Sequence, residues 1–249
     1  MLDFTGKTVA VSGAAIGFGR AIALMFQAAG ARVHGCDIRE DALPALAEAG
    51  IAASRVDLTD RAAGAAWLHG VERDSGGAVD VLVCNAGGVA GQSPKPLEEV
   101  TDEEFDRIIA INLGAALALC RAAAPGMKRA GQGAIVTITS GAALQASLTG
   151  IQAYCSAKHA LLGLTRQLAH ELGPHGIRVN SIAPGFIRSN EATEKQWASY
   201  SLERQKQIVE AVALKRLGTP EEIAKGVMFL ASDLASFVNG QVISVDGGK

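Results

Sequence analysis

Residues 7–26 read KTVAVSGAAIGFGRAIALMF, and this stretch decides the fold because three local patterns follow one another in it. The β-branched run from Lys7 to Ser12 predicts a short strand. Glycines at positions 13, 17 and 19 come next, and apolar residues at helical spacing then predict a helix that ends near Gly30. A strand, a glycine-rich turn and a helix in this order are typical of a dinucleotide pyrophosphate site in a parallel α/β sheet.

The glycines are spaced Gly-x-x-x-Gly-x-Gly rather than the commoner Gly-x-Gly-x-x-Gly. Gly13 permits a tight turn, and the missing Cβ atoms of Gly17 and Gly19 let the backbone and the helix N-terminus approach phosphates. A second predicted strand ends at Asp37, where a carboxylate hydrogen-bonds the ribose hydroxyls of an adenosine. Asp37 would repel a 2′-phosphate, so it predicts NAD rather than NADP. Arg39 is the counter-argument, because a guanidinium can hold that phosphate.

The composition fits one large α/β domain over residues 1–249, with 49% hydrophobic and only 4% aromatic residues. A net charge of -2 gives no basic footprint for nucleic acid or for acidic membranes. The four cysteines are scattered, so free thiols and no metal site are expected. We see no targeting leader and no apolar run approaching about 18 residues, so we expect a cytoplasmic chain that spans no membrane.

Strands and helices alternate along the rest of the chain, which predicts a parallel, doubly wound sheet. Residues 54–58 are expected to end the third strand, and residues 79–84 form a fourth that runs into Asn85-Ala86-Gly87-Gly88. A long helix is predicted from about Asp102 to Ala130, with Asn112 inside its apolar stretch. A buried amide needs partners. The sequence leaves open whether Asn112 kinks the helix and holds a water or is a satisfied core residue.

Tyr154 and Lys158 are four residues apart in a predicted helix, so their side chains share one face. A free tyrosine has a pKa near ~10, and ionising it at pH ~7 needs about 4 kcal/mol. A cation about 4 Å away in a dielectric of roughly 20 supplies about that much. The pair is therefore predicted to act as a general acid or base, and the alternative is an ordinary surface pair. Ser140 follows the apolar run 134–138, and a strand there would bring its hydroxyl to the same cleft.

A polar, helical stretch from Ser189 to Glu210 carries Trp197 and Tyr200 among charged residues. We predict a substrate lid at about residues 186–215, with a solvated helix as the alternative. Substrate contacts are predicted at Ser140, Gln145, Gln152, Tyr154, Arg188, Asn190 and Trp197.

Together these motifs resemble the short-chain dehydrogenase/reductase family, in its single-domain branch. The resemblance covers essentially the whole sequence and includes Asp57, Asn112, Pro184-Gly185 and the closing Asp246-Gly247-Gly248. It implies a Rossmann-like sheet of seven parallel strands in the order 3-2-1-4-5-6-7, with helices on both faces. It also implies a homotetramer joined through the long helix, the Tyr154 helix and the C-terminal segment.

The resemblance further implies roles for individual residues. Tyr154 would be the general acid/base and Ser140 would position the substrate oxygen. Lys158 would lower the tyrosine pKa and bond the nicotinamide ribose, and Asn112 would hold a water in a proton relay. The NAD contacts implied are Gly13, Ile16, Gly17, Phe18, Gly19, Asp37, Ile38, Asp57, Leu58, Asn85, Ala86, Gly87, Tyr154, Lys158, Pro184, Gly185, Ile187 and Ser189. Ser189 stands where the family usually has Thr, and the hydroxyl is kept.

The function expected is hydride transfer between NAD(H) and a secondary alcohol or ketone, with a small polyol, sugar or sugar acid as substrate. The polar lid and Asp37 favour this hypothesis. The alternative is a 3-oxoacyl-[acyl-carrier-protein] reductase or another ketone reductase, because Lys128 and Arg129 would suit an acidic carrier. A non-catalytic dinucleotide-binding protein is a remote third hypothesis.

Overall fold

The computed structural model describes residues 2–249, and these residues form one parallel sheet flanked by helices. The strands are β1 (Thr8–Ser12), β2 (Arg32–Asp37), β3 (Ala52–Arg55), β4 (Val81–Cys84), β5 (Gly133–Ile138), β6 (Ile177–Pro184) and β7 (Val242–Val245). Their order is β3-β2-β1-β4-β5-β6-β7 with every pairing parallel, which confirms the predicted order. Because the order reverses between β1 and β4, a crevice opens at the carboxyl ends of these two strands.

Helices cover both faces of the sheet, as predicted. They are α1 (Gly17–Ala28), α2 (Leu43–Glu48), α3 (Arg61–Ser75), α4 (Asp102–Ile109), α5 (Ala115–Ala130), α6 (Gln152–Leu172), α7 (Glu191–Ser199), α8 (Leu202–Glu210) and α9 (Pro220–Ala231). Helices α1 and α9 pack on one face, and α3, α5 and α6 pack on the other. Along β1, Val9 and Val11 join the first core and Ala10 joins the second. A strand buried on both faces needs apolar residues at every position, which explains its continuous β-branched run.

The predicted long helix is continuous from Asp102 to Ala130, with a π-helical turn at Ala110–Gly114 between α4 and α5. Within residues 2–249 it is the one helix long and apolar enough to cross a membrane, which corrects the expectation that no segment approaches that composition. In the fold, 56% of its apolar window is buried, and it packs against α3 and α6. The core helix of a soluble protein passes the same test.

Two predicted boundaries differ from the structure. The third strand ends at Arg55 rather than Leu58, because the chain turns at Asp57, whose carboxylate accepts hydrogen bonds from the Thr59 amide (2.9 Å) and hydroxyl (2.7 Å). The polar stretch 189–210 forms two helices, α7 and α8, rather than one. Ser201 separates them, since its hydroxyl accepts a hydrogen bond from the Arg204 amide and caps α8.

Candidate active site

The glycine-rich turn between β1 and α1 is held from the neighbouring strand. Asn85 follows β4, and its Nδ2 donates to the carbonyls of Ser12 (3.1 Å) and Gly13 (2.9 Å). Gly13 has a φ of +65°, and a Cβ there would lie 2.9 Å from the Cα of Ala86. Only glycine fits a left-handed turn pressed against a neighbouring backbone. The turn after β1 and the small residues after β4, both predicted to border the cofactor, therefore contact each other directly.

Helix α1 begins at this turn without a side-chain cap. Ile16 precedes the helix in an extended conformation and makes no capping hydrogen bond, and no acidic residue lies in the first turn. The first amide groups of a helix have no intrahelical acceptor, and the helix dipole makes this end partly positive. An uncapped N-terminus beside a bare glycine backbone fits the pyrophosphate of a dinucleotide. The residues present therefore fit such a cofactor.

Asp37 lies at the carboxyl end of β2, directly beside the glycine turn. Its side chain is buried, and its two oxygens accept hydrogen bonds from the amides of Ala15 and Arg39, each at 3.0 Å. The carboxylate is thus fixed by two backbone donors, and its remaining lone pairs are free to accept from a ribose. The Arg39 side chain points elsewhere, because its Nε and Nη2 bind the carboxylate of Asp41 at 3.1 and 2.9 Å.

The predicted catalytic residues meet at the carboxyl end of β5. Lys158 is only 4% exposed, and its Nζ donates to the carbonyl of Ile138 at 2.9 Å. The same Nζ lies 5.7 Å from the centre of the Tyr154 ring. The Ser140 hydroxyl hydrogen-bonds Tyr154 and also accepts from the Ala142 amide at 3.1 Å. Strand β5 and helix α6 therefore bring a hydroxyl, a phenol and an ammonium group into one cluster.

The pKa values of this cluster differ in part from the sequence expectation. Burial lowers the pKa of Lys158 to about 8. Burial also raises the pKa of Tyr154 above its ordinary value, and the hydrogen bond from Ser140 opposes this. The predicted lowering of the Tyr154 pKa by Lys158 is therefore wrong for the protein groups alone. The prediction assumed an ammonium about 4 Å from the phenol oxygen, whereas the ammonium lies against the ring and donates to Ile138.

Asn112 lies in the π-helical turn, and its side chain is buried. Its Nδ2 donates to the carbonyls of Gly88 (2.8 Å) and Ile108 (2.9 Å), and its Oδ1 accepts from the Gly88 amide (2.9 Å). The turn widens the helix, and the side chain bonds the carbonyl of Ile108 four residues earlier. Gly87 lies close by, where a Cβ would come within 2.5 Å of the Asn112 Oδ1 and 3.4 Å of the Lys158 Nζ. Asn112 is thus a satisfied buried amide next to Lys158.

The predicted lid begins directly after β6 and reaches the glycine turn. A Cβ on Gly17 would lie 3.3 Å from the carbonyl oxygen of Ser189. Asn190 caps α7 by accepting from the Thr193 amide at 3.0 Å. Arg188 binds Glu194 with two hydrogen bonds and lies 5.7 Å from the Trp197 ring centre. The polar residues predicted to contact substrate are thus tied to one another within the lid.

Other predicted contacts are spread over the same edge of the sheet. Ile187 is buried, Ile38 is 54% exposed at the end of β2, and Leu58 is buried in the core. Gln152 donates to the carbonyl of Lys95 at 3.1 Å, whereas Gln145 is exposed. Phe18 lies in the first turn of α1 and packs against the core, and Pro184-Gly185 lie at the carboxyl end of β6, just before the predicted lid.

The sequence analysis missed Phe186 and the acid pair Glu40-Asp41. Phe186 stacks on Trp197 with ring centroids 5.8 Å apart and lines a cavity of about 290 Å³ beside Ile187 and Asp246. An aromatic residue directly after Pro184-Gly185 was the available signal for Phe186. The signal for Asp41 was its position two residues after Arg39 in a turn.

Comparisons with known proteins find relatives that match over nearly the whole chain. A protein-family model described as enoyl-(acyl carrier protein) reductase matches residues 13–249. A D-threitol dehydrogenase from Mycolicibacterium smegmatis is 36% identical, covering 98% of this chain and 92% of the relative. A 3-oxoacyl-[acyl-carrier-protein] reductase from Rickettsia conorii is 35% identical, covering 100% of this chain and 98% of the relative.

Two solved structures match over nearly the whole chain. A 7α-hydroxysteroid dehydrogenase complexed with NADH and 7-oxo glycochenodeoxycholic acid has a TM-score of 0.88 and 34% identity, covering 99% of this chain and 95% of that one. A structure described as an NAD(P)-dependent gluconate 5-dehydrogenase from Beutenbergia cavernae, with bound NADP at low occupancy, has a TM-score of 0.87 and 37% identity, covering 98% and 97%. Because both dinucleotides occur among these neighbours, the choice between them depends on the residues of this chain.

Proposed function

The chain belongs to the short-chain dehydrogenase/reductase family, and from that premise we propose that it oxidises a small polyhydroxylated secondary alcohol with NAD. The family binds a nicotinamide dinucleotide and acts on CH–OH groups. The observation that carries the proposed reaction is the cluster of Ser140, Tyr154 and Lys158 at the carboxyl end of β5. The observation that favours NAD is the buried carboxylate of Asp37, held by two backbone amides.

In the proposed oxidation, the phenolate of Tyr154 takes the hydroxyl proton of the substrate as the hydride leaves the carbinol carbon. A bound nicotinamide dinucleotide supplies the hydride acceptor. In reduction, the Tyr154 phenol returns the proton to the carbonyl oxygen. The Ser140 oxygen accepts from the Ala142 amide, which fixes the hydroxyl beside Tyr154, where it would hold the substrate oxygen in place.

We propose that Lys158 binds the nicotinamide ribose and joins the proton relay, with its ammonium 5.7 Å from the centre of the Tyr154 ring. With a pKa of about 8, its amine is mostly protonated at neutral pH. One of its three N–H groups is bound by the Ile138 carbonyl, which leaves two for a ribose hydroxyl and a proton-relay water. We assign the relay to the second lone pair of the Asn112 Oδ1, because its first accepts from the Gly88 amide.

The substrate class rests on the lid and on the relatives. Arg188, Asn190 and Gln196 have partners within the lid, and we propose that their remaining donors and acceptors meet several substrate hydroxyl groups. The stacked rings of Trp197 and Phe186 offer a surface for an apolar face of the substrate. The similarity to a D-threitol dehydrogenase and to a gluconate 5-dehydrogenase supports the same class.

The second candidate is a 3-oxoacyl-[acyl-carrier-protein] reductase, favoured by the Rickettsia conorii relative. Its expected carrier surface at Lys128 and Arg129 is poorly situated within one chain. These residues end α5, just before the amino end of β5, whereas Ser140 and Tyr154 follow its carboxyl end. Lys128 also lies 3.9 Å from the carboxylate of Glu171. We therefore prefer the polyol hypothesis.

We also propose that residues 1–249 act as one cytoplasmic catalytic unit and assemble as a homotetramer. The exposed apolar side chains of Leu234 and Phe237, close to the C-terminal strand, support a subunit contact there. Light scattering coupled to size-exclusion chromatography should give four times the 25.6 kDa chain mass. A monomer or dimer would contradict this part of the proposal.

The experiment that tests the function is the formation of NADH, followed by absorbance. The panel contains polyols, aldoses, sugar acids and 3-hydroxyacyl thioesters, each with NAD and with NADP. We expect turnover of a polyhydroxylated alcohol with NAD, and turnover lowered by about 10²–10⁴-fold with Tyr154→Phe. Activity confined to the thioesters would replace the proposal by the reductase hypothesis.

A further inference from the structure

Two arginines lie next to Asp37, and each is bound by a carboxylate of the same short turn. The turn Glu40–Ala42 follows β2 directly. Its Asp41 binds Arg39 with two hydrogen bonds, at 3.1 and 2.9 Å. Its Glu40 lies 3.4 Å from Arg55, which is paired with Asp37 across β2 and β3. We name residues Glu40 and Asp41 the acidic turn.

These two guanidiniums are the groups that a 2′-phosphate would use. Guanidinium groups at the end of the second strand accommodate the 2′-phosphate of NADP. Arg39 follows Asp37 by two residues in the turn after β2, and Arg55 ends β3 as the register partner of Asp37. Without the acidic turn, two positive charges would face one carboxylate, and the corner would attract a phosphate dianion.

The acidic turn reverses the local charge. The carboxylates of Asp37, Glu40 and Asp41 outnumber the guanidiniums of Arg39 and Arg55, so the corner carries a net charge of -1. Glu191 at the start of α7 also acts on Arg39, but it is bound to Lys195 at 2.9 Å. A dianion that enters this corner must therefore displace carboxylates from both arginines, whereas an unphosphorylated ribose displaces none.

We propose that the acidic turn, Glu40 and Asp41, excludes NADP by holding Arg39 and Arg55 away from the 2′-phosphate position. The inference rests on the proposed use of NAD and extends it to residues beyond Asp37. It explains how the chain keeps an arginine two residues after Asp37 without accepting the phosphate that such an arginine can bind. Asp37 repels the phosphate, and the acidic turn removes the compensating charges.

The test measures binding rather than turnover, by calorimetric titration of the full chain with NAD and with NADP and no alcohol present. The variants are Asp41→Asn and the double variant Glu40→Gln/Asp41→Asn. We expect the affinity for NADP to rise about tenfold for each carboxylate removed, about 1.4 kcal/mol each, while the affinity for NAD stays nearly constant. Adding Arg39→Ala to Asp41→Asn should abolish the gain of that variant.

Glu48→Gln is the matched control, because Glu48 is an exposed acid at the end of α2 and its loss changes the net charge equally. An equal gain in this control would show a general charge effect and overturn the inference. If the wild-type chain prefers NAD but the double variant gains nothing for NADP, the acidic turn has no such role. If the wild-type chain prefers NADP, the proposed cofactor itself is wrong and the inference fails with it.

Discussion

Lys158 and Arg39, two cations at opposite ends of the cleft, have opposite environments. Lys158 is buried, binds a single backbone carbonyl and has its pKa lowered to about 8. Arg39 is exposed and held by both oxygens of Asp41, and this raises its pKa. The first charge has no counter-ion and stays available to a reacting group, whereas the second is neutralised in the resting protein. The comparison shows that a basic residue near a site means little until its partners are known.

The two cations also differ in their effect on the stability of the fold. A buried ammonium without a carboxylate is costly, because the protein interior solvates charge poorly. An exposed bidentate pair stabilises the fold little, because water and ions screen it. A chain selected only for stability would have no reason to keep Lys158, so its retention beside Tyr154 fits a chemical role.

Removing the Tyr154 hydroxyl should have the largest effect. Tyr154→Phe keeps the ring against Lys158 and removes the proton acceptor, so kcat should fall by about 10²–10⁴-fold. Binding of NADH should be unchanged, because the Asp37 end of the cleft is intact. Steady-state kinetics and fluorescence titration with NADH measure the two quantities. Undiminished turnover would contradict the proposed role of Tyr154.

Changing Asp37, at the other end of the cleft, should affect the affinity for NAD rather than the rate of turnover. Asp37→Asn keeps the shape of the side chain and removes its charge, so the affinity for NAD should fall by about tenfold or more, as for a hydrogen bond to a charged group. The value of kcat at saturating NAD should stay within a few-fold of wild type, since this contact is the same in the ground and transition states. A fall in kcat at unchanged affinity would mean that Asp37 does not bind the ribose.

Replacing Lys158 by Met should stabilise the fold while abolishing activity. The side chain is fully buried, and a well-packed apolar group there removes the cost of a buried charge, worth about 2 kcal/mol in urea unfolding at neutral pH. Below a pH of about 8, the folded and unfolded chains both protonate Lys158, and the cost is present in full. Above it the folded chain releases the proton first, so the wild type gains stability with rising pH and the advantage of Lys158→Met shrinks. A stability difference between Lys158→Met and the wild type that grows with pH would contradict this account.

The pH dependence of catalysis tests the Tyr154 end of the cleft without removing a catalytic group. Oxidation needs the Tyr154 phenolate, and burial raises the pKa of this residue, so kcat for oxidation should rise with pH by at most about tenfold per unit. Reduction needs the phenol and should decline over the same range. Ser140→Ala removes the hydrogen bond that lowers the Tyr154 pKa, and its oxidation profile should shift to higher pH. An unshifted profile would show that Ser140 does not influence the phenol.

Much of the fold was predictable because its signals are local. The β1 run, the three glycines and the α1 pattern lie within twenty consecutive residues, and their order alone indicates a parallel α/β sheet. The four-residue spacing of Tyr154 and Lys158 fixes a shared helix face for the same reason. The seven-strand order came from the resemblance to a known family and is confirmed by the pairings.

Contacts between distant segments were not predictable from one sequence. Asn112 was ambiguous, because its partners depend on where β4 leaves Gly88 relative to the π-helical turn. The pKa of Tyr154 was predicted in the wrong direction, because burial of the phenol raises it and burial depends on how distant segments pack. The long helix Asp102–Ala130 has a membrane-like composition, and only its packing shows how much of it is buried.

Local sequence is enough to predict the strand–turn–helix start, the acid that ends β2 and the Tyr–Lys pair, since each depends on neighbours along the chain. Which charged groups keep free hydrogen-bonding capacity depends on how the elements pack. Asp41 binds Arg39 within the turn after β2, and Glu40 reaches Arg55 only because β2 and β3 pair in register. The physical reason is that a charge acts through distance and burial, and both are set by how the elements pack rather than by their order in the chain.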